Sequence, residues 1–172
     1  MTLNDLLSEK GSAIKKKWFD AVIETYPPET SKFFGGNKSE FRNPVGDTIN
    51  KAVEGIFDQL INDKEPLTGS DVLDQIIRVR AIQDFSPSEA VRFIFLLKDI
   101  IRGTLIDAVR KNGLFDELLG LEARIDELAC LSFDIFMSCR EKLYEIKATE
   151  LHRWTYKIIE NANVLKENPD SN

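Results

Sequence analysis

Apolar residues recur every three or four positions along most of this chain, which is the period of an amphipathic α-helix. The clearest case follows Pro44, where one helical face is marked by Val45, Ile49, Ala52, Val53, Ile56 and Leu60. No segment alternates apolar and polar residues with the period of two that half-buried strands show. The pattern therefore predicts an all-α protein of about six helices with a long C-terminal helix.

Caps and prolines divide the first part of the chain into helices. Thr2 and Asp5 can cap a first helix, and Pro27-Pro28 stops it. Between these points Gly11-Ser12 permits a kink or a fresh start, so two N-terminal helices are expected.

Two further helices are expected before residue 85. The dipeptide Asn43-Pro44 predicts one helix start, and Ser70 or Asp71 can cap the next. Loops are predicted at 35–37, which reads Gly-Gly-Asn, and at 64–69.

A central helix is predicted from Pro87 to about Lys111. Ser86 can cap it, Glu89 can complete a capping box, and Gly113 suits its C-terminal end. Its apolar positions are Val91, Phe93, Ile94, Phe95, Leu96, Leu97, Ile100, Ile101 and Leu105. Because these surround most of the helix, we expect it, Phe95 included, to be covered by other helices.

The last helix is expected to run from about Leu114 or Gly120 to about Leu165, with a frayed tail over 166–172. Its first half is densely apolar, whereas its second half thins to an apolar position every seven residues. The sparse positions are Tyr144, Leu151, Ile158 and Leu165, with Trp154 three residues after Leu151. We predict an interface with a second copy or a partner helix at Tyr144, Leu151, Trp154 and Ile158. The alternative is that the helix breaks and folds back as core.

Composition narrows the class of protein. The net charge is −6 and the pI about 5.0, which disfavours nucleic-acid binding, since that needs a basic face. The longest apolar run is Phe93–Leu97, far short of a membrane span, and Met1–Asp5 is unlike the start of a secretory signal. The chain also has only two cysteines, and free cysteines suit a reducing compartment. A cytoplasmic protein is therefore expected.

Catalytic, metal and cofactor chemistry is not predicted. The one histidine, His152, has no evident orienting partner, and the sequence contains no phosphate-binding glycine motif. Cys130 and Cys139 are nine residues apart on one predicted helix, so they cannot share a metal or a disulfide, and we expect both to be small core residues. Carboxylates at helical spacings, such as Glu122 and Asp126, suit solvated faces.

The segment Arg78–Arg102, together with Asn43–Gly46, resembles the N-terminal domain family of the RsbR-type regulators. The resemblance rests on Arg78-x-Arg80, on Ser86–Glu89 and on Phe93-x-x-Leu96-Leu97, and it covers roughly residues 3 to 145. It implies a globin-like fold that has lost haem and a bacterial sensory or regulatory input domain. Such domains are usually dimeric and joined to an output module such as a STAS domain or a histidine kinase.

Two functions follow from these expectations. After Leu165 no room remains for an output module, so residues 1–165 are expected to form a single, stand-alone regulatory domain that acts through protein–protein contacts of its last helix. The alternative is a sensor that binds a small or apolar ligand in a core pocket. Its predicted lining is Phe93, Leu96, Leu97 and Phe133. No haem is expected, because the body of the domain has no histidine to hold it.

Overall fold

The computed structural model describes residues 1–28, 44–62, 71–83 and 85–167, with side chains up to residue 163. Within these ranges there is no strand, and five helices are present. They are α1 (Leu3–Glu24), α2 (Pro44–Ile61), α3 (Asp71–Ile82), α4 (Pro87–Asn112) and α5 (Phe115–Glu167). The all-α prediction is confirmed. The loops predicted at 35–37 and 64–69, and residues 168–172 of the predicted tail, lie outside the described residues.

Helix α1 begins where its caps predict but is not interrupted. The Asp5 backbone N–H donates to Thr2 Oγ1 at 3.2 Å, and the Thr2 N–H donates to Asp5 Oδ2 at 2.7 Å. The kink or fresh start expected at Gly11-Ser12 was wrong, because the helix is continuous through both residues. Gly11 is buried, and a Cβ there would lie 3.2 Å from the Phe57 ring. This glycine therefore allows α1 and α2 to approach closely rather than ending a helix.

Both ends of α4 follow from local chemistry. The Ser86 N–H donates to Glu89 Oε2 at 2.9 Å, and the Glu89 N–H donates to Ser86 Oγ at 3.4 Å, completing the predicted capping box. At the other end Gly113 adopts a φ of 68°, a left-handed conformation that favours glycine. The predicted bounds of this helix are correct to within one residue.

The core of the first four helices is built around α1. This helix packs on α2 and α4, α2 packs on α3, and α3 packs on α4. The Trp18 and Phe93 rings stack with their centres 6.2 Å apart, and Trp18 Nε1 donates to the Phe93 carbonyl at 2.7 Å. The bond satisfies the indole N–H, so the largest side chain of the core can be buried completely.

Side chains of the first part of α5 contact three helices of this core. Glu117 Oε2 accepts the backbone N–H of Leu3 at 2.7 Å, and Arg124 Nη1 donates to the Leu60 carbonyl at 2.8 Å. Lys98 of α4 pairs with Asp126 at 2.9 Å. Arg102 of α4 pairs with Glu122 of α5. On α4, Arg102 follows Lys98 by one turn, whereas on α5 Glu122 precedes Asp126 by one turn. The opposite order of these two pairs makes α4 and α5 antiparallel.

The expectation that α4 is covered almost all round was wrong at Phe95, which is 44% exposed. In the antiparallel pairing of α4 with α5, the position opposite Phe95 is Ala129. A methyl group is too small to cover a phenyl ring. Cys130, expected in the core, is also exposed, whereas Cys139 is half-buried, and both thiols are free.

The chain divides into two compact units, Met1–Met137 and Ser138–Asn172. Every buried hydrophobic side chain among the described residues lies between Leu3 and Phe136, in the first unit. The first unit therefore contains the described core.

Candidate interaction surface on the C-terminal helix

The described side chains of the second unit are exposed almost without exception. From Tyr144 to Asn163 each of them is exposed, including several large apolar groups. The four residues singled out from the sequence are exposed by 57% (Tyr144), 66% (Leu151), 71% (Trp154) and 57% (Ile158). These four residues therefore keep more than half of their surface exposed within the described residues.

Three of these residues lie on one line along the helix. Residues seven apart are rotated by only about 20° from one another, so Tyr144, Leu151 and Ile158 fall within an arc of about 40°. Trp154 flanks them about 60° from Leu151. We call these four residues the apolar stripe. Ile146 and Tyr156 are also exposed but lie about 140° from Leu151, on other sides of the helix.

Two hydroxyl groups on this side of the helix already have hydrogen-bond partners within the helix itself. Arg140 Nη2 donates to the Tyr144 hydroxyl at 3.0 Å, and its guanidinium lies 5.4 Å from the centre of the Tyr144 ring. Thr155 Oγ1 donates to the Leu151 carbonyl at 2.9 Å. Covering this side therefore leaves neither hydroxyl without a hydrogen-bond partner.

The only histidine of the sequence is not part of a group of potential metal ligands in the described parts of the chain. His152 is exposed on the C-terminal helix, about 100° from Leu151. No three His, Cys, Asp or Glu side chains among the described residues are placed so that they could hold one metal ion.

The residues proposed to line a ligand pocket differ in their burial. Phe93 and Leu97 are fully buried, Leu96 is half-buried, and Phe133 is 45% exposed, so the prediction of a pocket that includes Phe133 was wrong. On α5 Phe133 is rotated by about 60° from the buried Phe136 and by about 140° from Leu128, so it lies at the edge of the buried face. A cleft of about 460 Å³ exists elsewhere, between Leu3, Leu60 and Leu121, and includes none of these four residues.

A buried arginine is the feature that sequence reasoning missed. Arg80 is completely buried, and its Nη2 donates to Thr25 Oγ1 at 2.7 Å while Nη1 donates to the Glu89 carbonyl at 3.3 Å. Its guanidinium carbon lies within about 5 Å of the ring centres of Tyr26 (5.1 Å), Phe85 (4.7 Å) and Phe93 (4.9 Å). The Arg80 side chain thus joins α1, α3 and α4 at one corner of the first unit.

Burial affects the protonation of this cluster. Desolvation lowers the pKa of Arg80, opposed by the neighbouring Tyr26, and desolvation raises the pKa of the Tyr26 hydroxyl. An arginine still keeps its charge under these conditions, because its ordinary pKa is so high. The only sequence signal was Arg78-x-Arg80. Two residues apart on a helix are rotated by about 200°, which leaves Arg78 exposed, paired with Asp74, while Arg80 points inward.

A second missed feature is the pairing of Glu122. Its spacing from Asp126 predicted a solvated face, but the Glu122 side chain is only 8% exposed and binds Arg102 through both carboxylate oxygens. That contact raises the pKa of Arg102. Local sequence patterns do not indicate this ion pair, because the two residues meet only when α4 and α5 pair.

Comparison with known proteins places the chain in a family. Residues 12–151 match the family described as the RsbT co-antagonist protein RsbRD N-terminal domain, in agreement with the resemblance. An uncharacterized protein of Archaeoglobus fulgidus is 24% identical over 139 residues, which are 77% of this chain and 79% of that relative. No solved structure matches the chain. No helix among the described residues is long and apolar enough to cross a membrane. Since the match covers well over half of its length, this chain belongs to the RsbRD N-terminal domain family.

Proposed function

We propose that this protein is a non-catalytic, cytoplasmic regulatory or sensory protein with a globin-like first unit, and that it acts through protein–protein contacts of α5. The contacts are made by the apolar stripe, and the first occupant is a second copy of the chain. Membership of a regulatory family supports this class of function. The observation that carries the proposal is the exposure of Tyr144, Leu151, Trp154 and Ile158 on one side of a helix.

The size of the exposed surface supports an interface. Large side chains present about 150–250 Å² when fully exposed, so the four residues leave on the order of 450 Å² per chain in contact with water. That is within the range of the largest apolar patches on monomeric proteins, which are often functional. A symmetric pair would cover about 900 Å² from these residues alone, close to the lower bound for a stable interface.

A ligand sensor is the less supported alternative. It required Phe93, Leu96, Leu97 and Phe133 to share a pocket, and Phe133 lies on the surface. The cleft beside Leu3 and Leu121 opens to the outside and is bordered by Glu117 and Arg124, which already hold backbone groups of α1 and α2.

Sedimentation velocity of the full chain and of a truncation after Lys142 tests the proposal. We expect the full chain to sediment as a dimer at micromolar concentration. The truncated chain should be helical and monomeric, because it retains every buried hydrophobic residue of the described core but lacks the stripe. A monomeric full chain together with an unfolded truncation would show that the stripe serves the fold and not an interface.

A matched pair of substitutions separates association from folding. Trp154→Ala removes a 71% exposed ring from the stripe, and Tyr156→Ala removes a 69% exposed ring from another side of the same helix. We expect the first to weaken association at least tenfold, since buried aromatic residues dominate many interfaces, and the second to leave it within twofold. Equal effects of the two would contradict the assignment of the stripe.

A further inference from the structure

We propose that the stripe pairs with the stripe of a second copy in the antiparallel direction, with the two helices crossing near Arg153. This proposal rests on the proposed function and adds the identity and orientation of the occupant. It derives from the sizes of the side chains that alternate along the stripe.

Small side chains lie between the large ones on the same face. Ala148, Thr155 and Ala162 follow Tyr144, Leu151 and Ile158 by four residues each. Ala148 is followed three residues later by Leu151, and Thr155 is followed three residues later by Ile158. This 4-3 spacing is the heptad of a two-helix seam, with large residues at one core position and small residues at the other. All six lie within an arc of about 80°.

A parallel pair would stack equal sizes on one another. Each core residue of a parallel, in-register pair faces its own copy, so Leu151 would meet Leu151 and Ala148 would meet Ala148. Layers of two large side chains would alternate with layers of two methyl groups. The helices cannot be at the correct distance for both kinds of layer, and the small layers would leave cavities.

An antiparallel pair fills every layer evenly. When Leu151 faces Thr155 of the second chain, the same register places Ala148 opposite Ile158 and Tyr144 opposite Ala162. Each of the six layers then holds one large and one small side chain, which is the arrangement that interdigitates at constant helix separation. Only this direction makes the two patterns complementary.

Hydrogen bonding and the flanking tryptophan fit the same geometry. The Thr155 hydroxyl is already bonded to the Leu151 carbonyl at 2.9 Å, so its methyl group can enter the seam without a desolvation penalty. Trp154 lies beside the central layers, and in the antiparallel register it is displaced from its own copy by only about 3 Å along the helix axes. The two indole rings would then cover the middle of the seam from one side.

Disulfide trapping in the full chain tests the direction. In a background of Cys130→Ser and Cys139→Ser, one protein carries Tyr144→Cys and a second, distinguishable by mass, carries Ala162→Cys. For an antiparallel pair, oxidation of the mixture should give at least tenfold more mixed dimer than either protein gives by itself. A parallel pair would give the two self-linked dimers and no mixed dimer.

A distance measurement leaves the seam intact. Spin labels on Lys142→Cys, in the same cysteine-free background, would be separated by about 33 Å along the axes of an antiparallel pair and by none along those of a parallel pair. Ile158→Asn, in the stripe, should abolish the dipolar coupling between the two spin labels. Ile146→Asn should not, because Ile146 lies on another side of the helix although it is equally exposed (56%, against 57% for Ile158). Self-linked dimers and a short distance would overturn the antiparallel direction while leaving the proposed function in place. A protein that remains monomeric in sedimentation would overturn both.

Discussion

The guanidinium carbon of Arg80 lies 4.9 Å from the centre of the Phe93 ring, and neither residue exposes any surface. Phe93 also accepts the indole N–H of Trp18 through its backbone carbonyl, so one residue of α4 is in contact with both the charge and the largest ring of the core. A buried charge is costly unless hydrogen bonds and aromatic faces compensate it. Here Thr25, Glu89 and three rings do so.

The first prediction concerns Arg80. Arg80→Ala should lower the free energy of unfolding by about 3 kcal/mol, because it leaves a cavity and removes hydrogen bonds that join three helices. Arg80→Met should cost less, since it fills most of the space without a charge to desolvate. Urea denaturation of the three proteins measures this. If Arg80→Ala unfolds at the urea concentration of the wild type, the cluster does not hold this corner together.

The second prediction concerns the neighbouring aromatic residues of α4. Phe93→Ala should cost about 3–5 kcal/mol, because the ring is fully buried. Phe95→Ala should cost about 1 kcal/mol or less, because nearly half of that ring is already in water. The two variants remove the same group two residues apart, so each is the control for the other. Equal midpoints in urea would contradict the assigned burial of Phe93 and exposure of Phe95.

The third prediction uses the capping box at the start of α4. Hydrogen bonds from Ser86 lower the pKa of Glu89 below its ordinary value of 4.5. The ionised carboxylate therefore stabilises the fold above that value, and the stabilisation is lost as the pH falls through the lowered pKa. The difference in unfolding free energy between wild type and Glu89→Gln should shrink between pH 6 and pH 3. A difference in unfolding free energy that is constant with pH would contradict a stabilising role of the ionised Glu89 carboxylate.

Ser86→Ala tests the same cap at neutral pH. Loss of the hydroxyl that accepts the Glu89 N–H should cost about 1 kcal/mol. Ser88→Ala, two residues along and exposed, removes no cap and is the control. A cost for Ser88→Ala as large as that for Ser86→Ala would place the stabilising contact elsewhere.

The fourth prediction compares two ion pairs between α4 and α5. Glu122 is nearly buried, whereas Asp126 is half exposed. Glu122→Gln should cost about 1–2 kcal/mol and the cost should persist in salt, because burial limits screening. Asp126→Asn should cost about 0.5 kcal/mol or less, and less still in 1 M salt. Thermal unfolding at two salt concentrations distinguishes them, and a larger effect at Asp126 would reverse this assignment.

Helix ends could be predicted from the sequence because they depend on neighbouring residues. The hydroxyl of Ser86, the ring of Pro87 and the carboxylate of Glu89 act within one turn, and Gly113 ends the same helix through its own backbone. The stripe was also visible in the sequence. Its seven-residue spacing continues after the dense apolar positions of α5 have stopped.

Features that depend on pairing between helices could not be predicted in this way. The exposure of Phe95 and the burial of Glu122 both follow from the alignment of α4 with α5, which places Ala129 opposite one residue and Arg102 opposite the other. Gly11 was interpreted as a helix breaker because its neighbour on α2, the ring of Phe57, is 46 residues away in the sequence. Local patterns contain no information about such partners.

The confinement of the described core to residues Leu3–Phe136 has a consequence for how this protein can change. Substitutions after Ser138 on the exposed faces of α5 change none of the buried hydrophobic residues of that core, so they are free of the constraint that close packing places on buried positions. Partner preference can therefore diverge among descendants while the folding free energy of the first unit stays constant. For protein engineering, the same separation makes residues 144–163 a replaceable segment, in which a new heptad pattern could redirect association without redesign of the domain that precedes it.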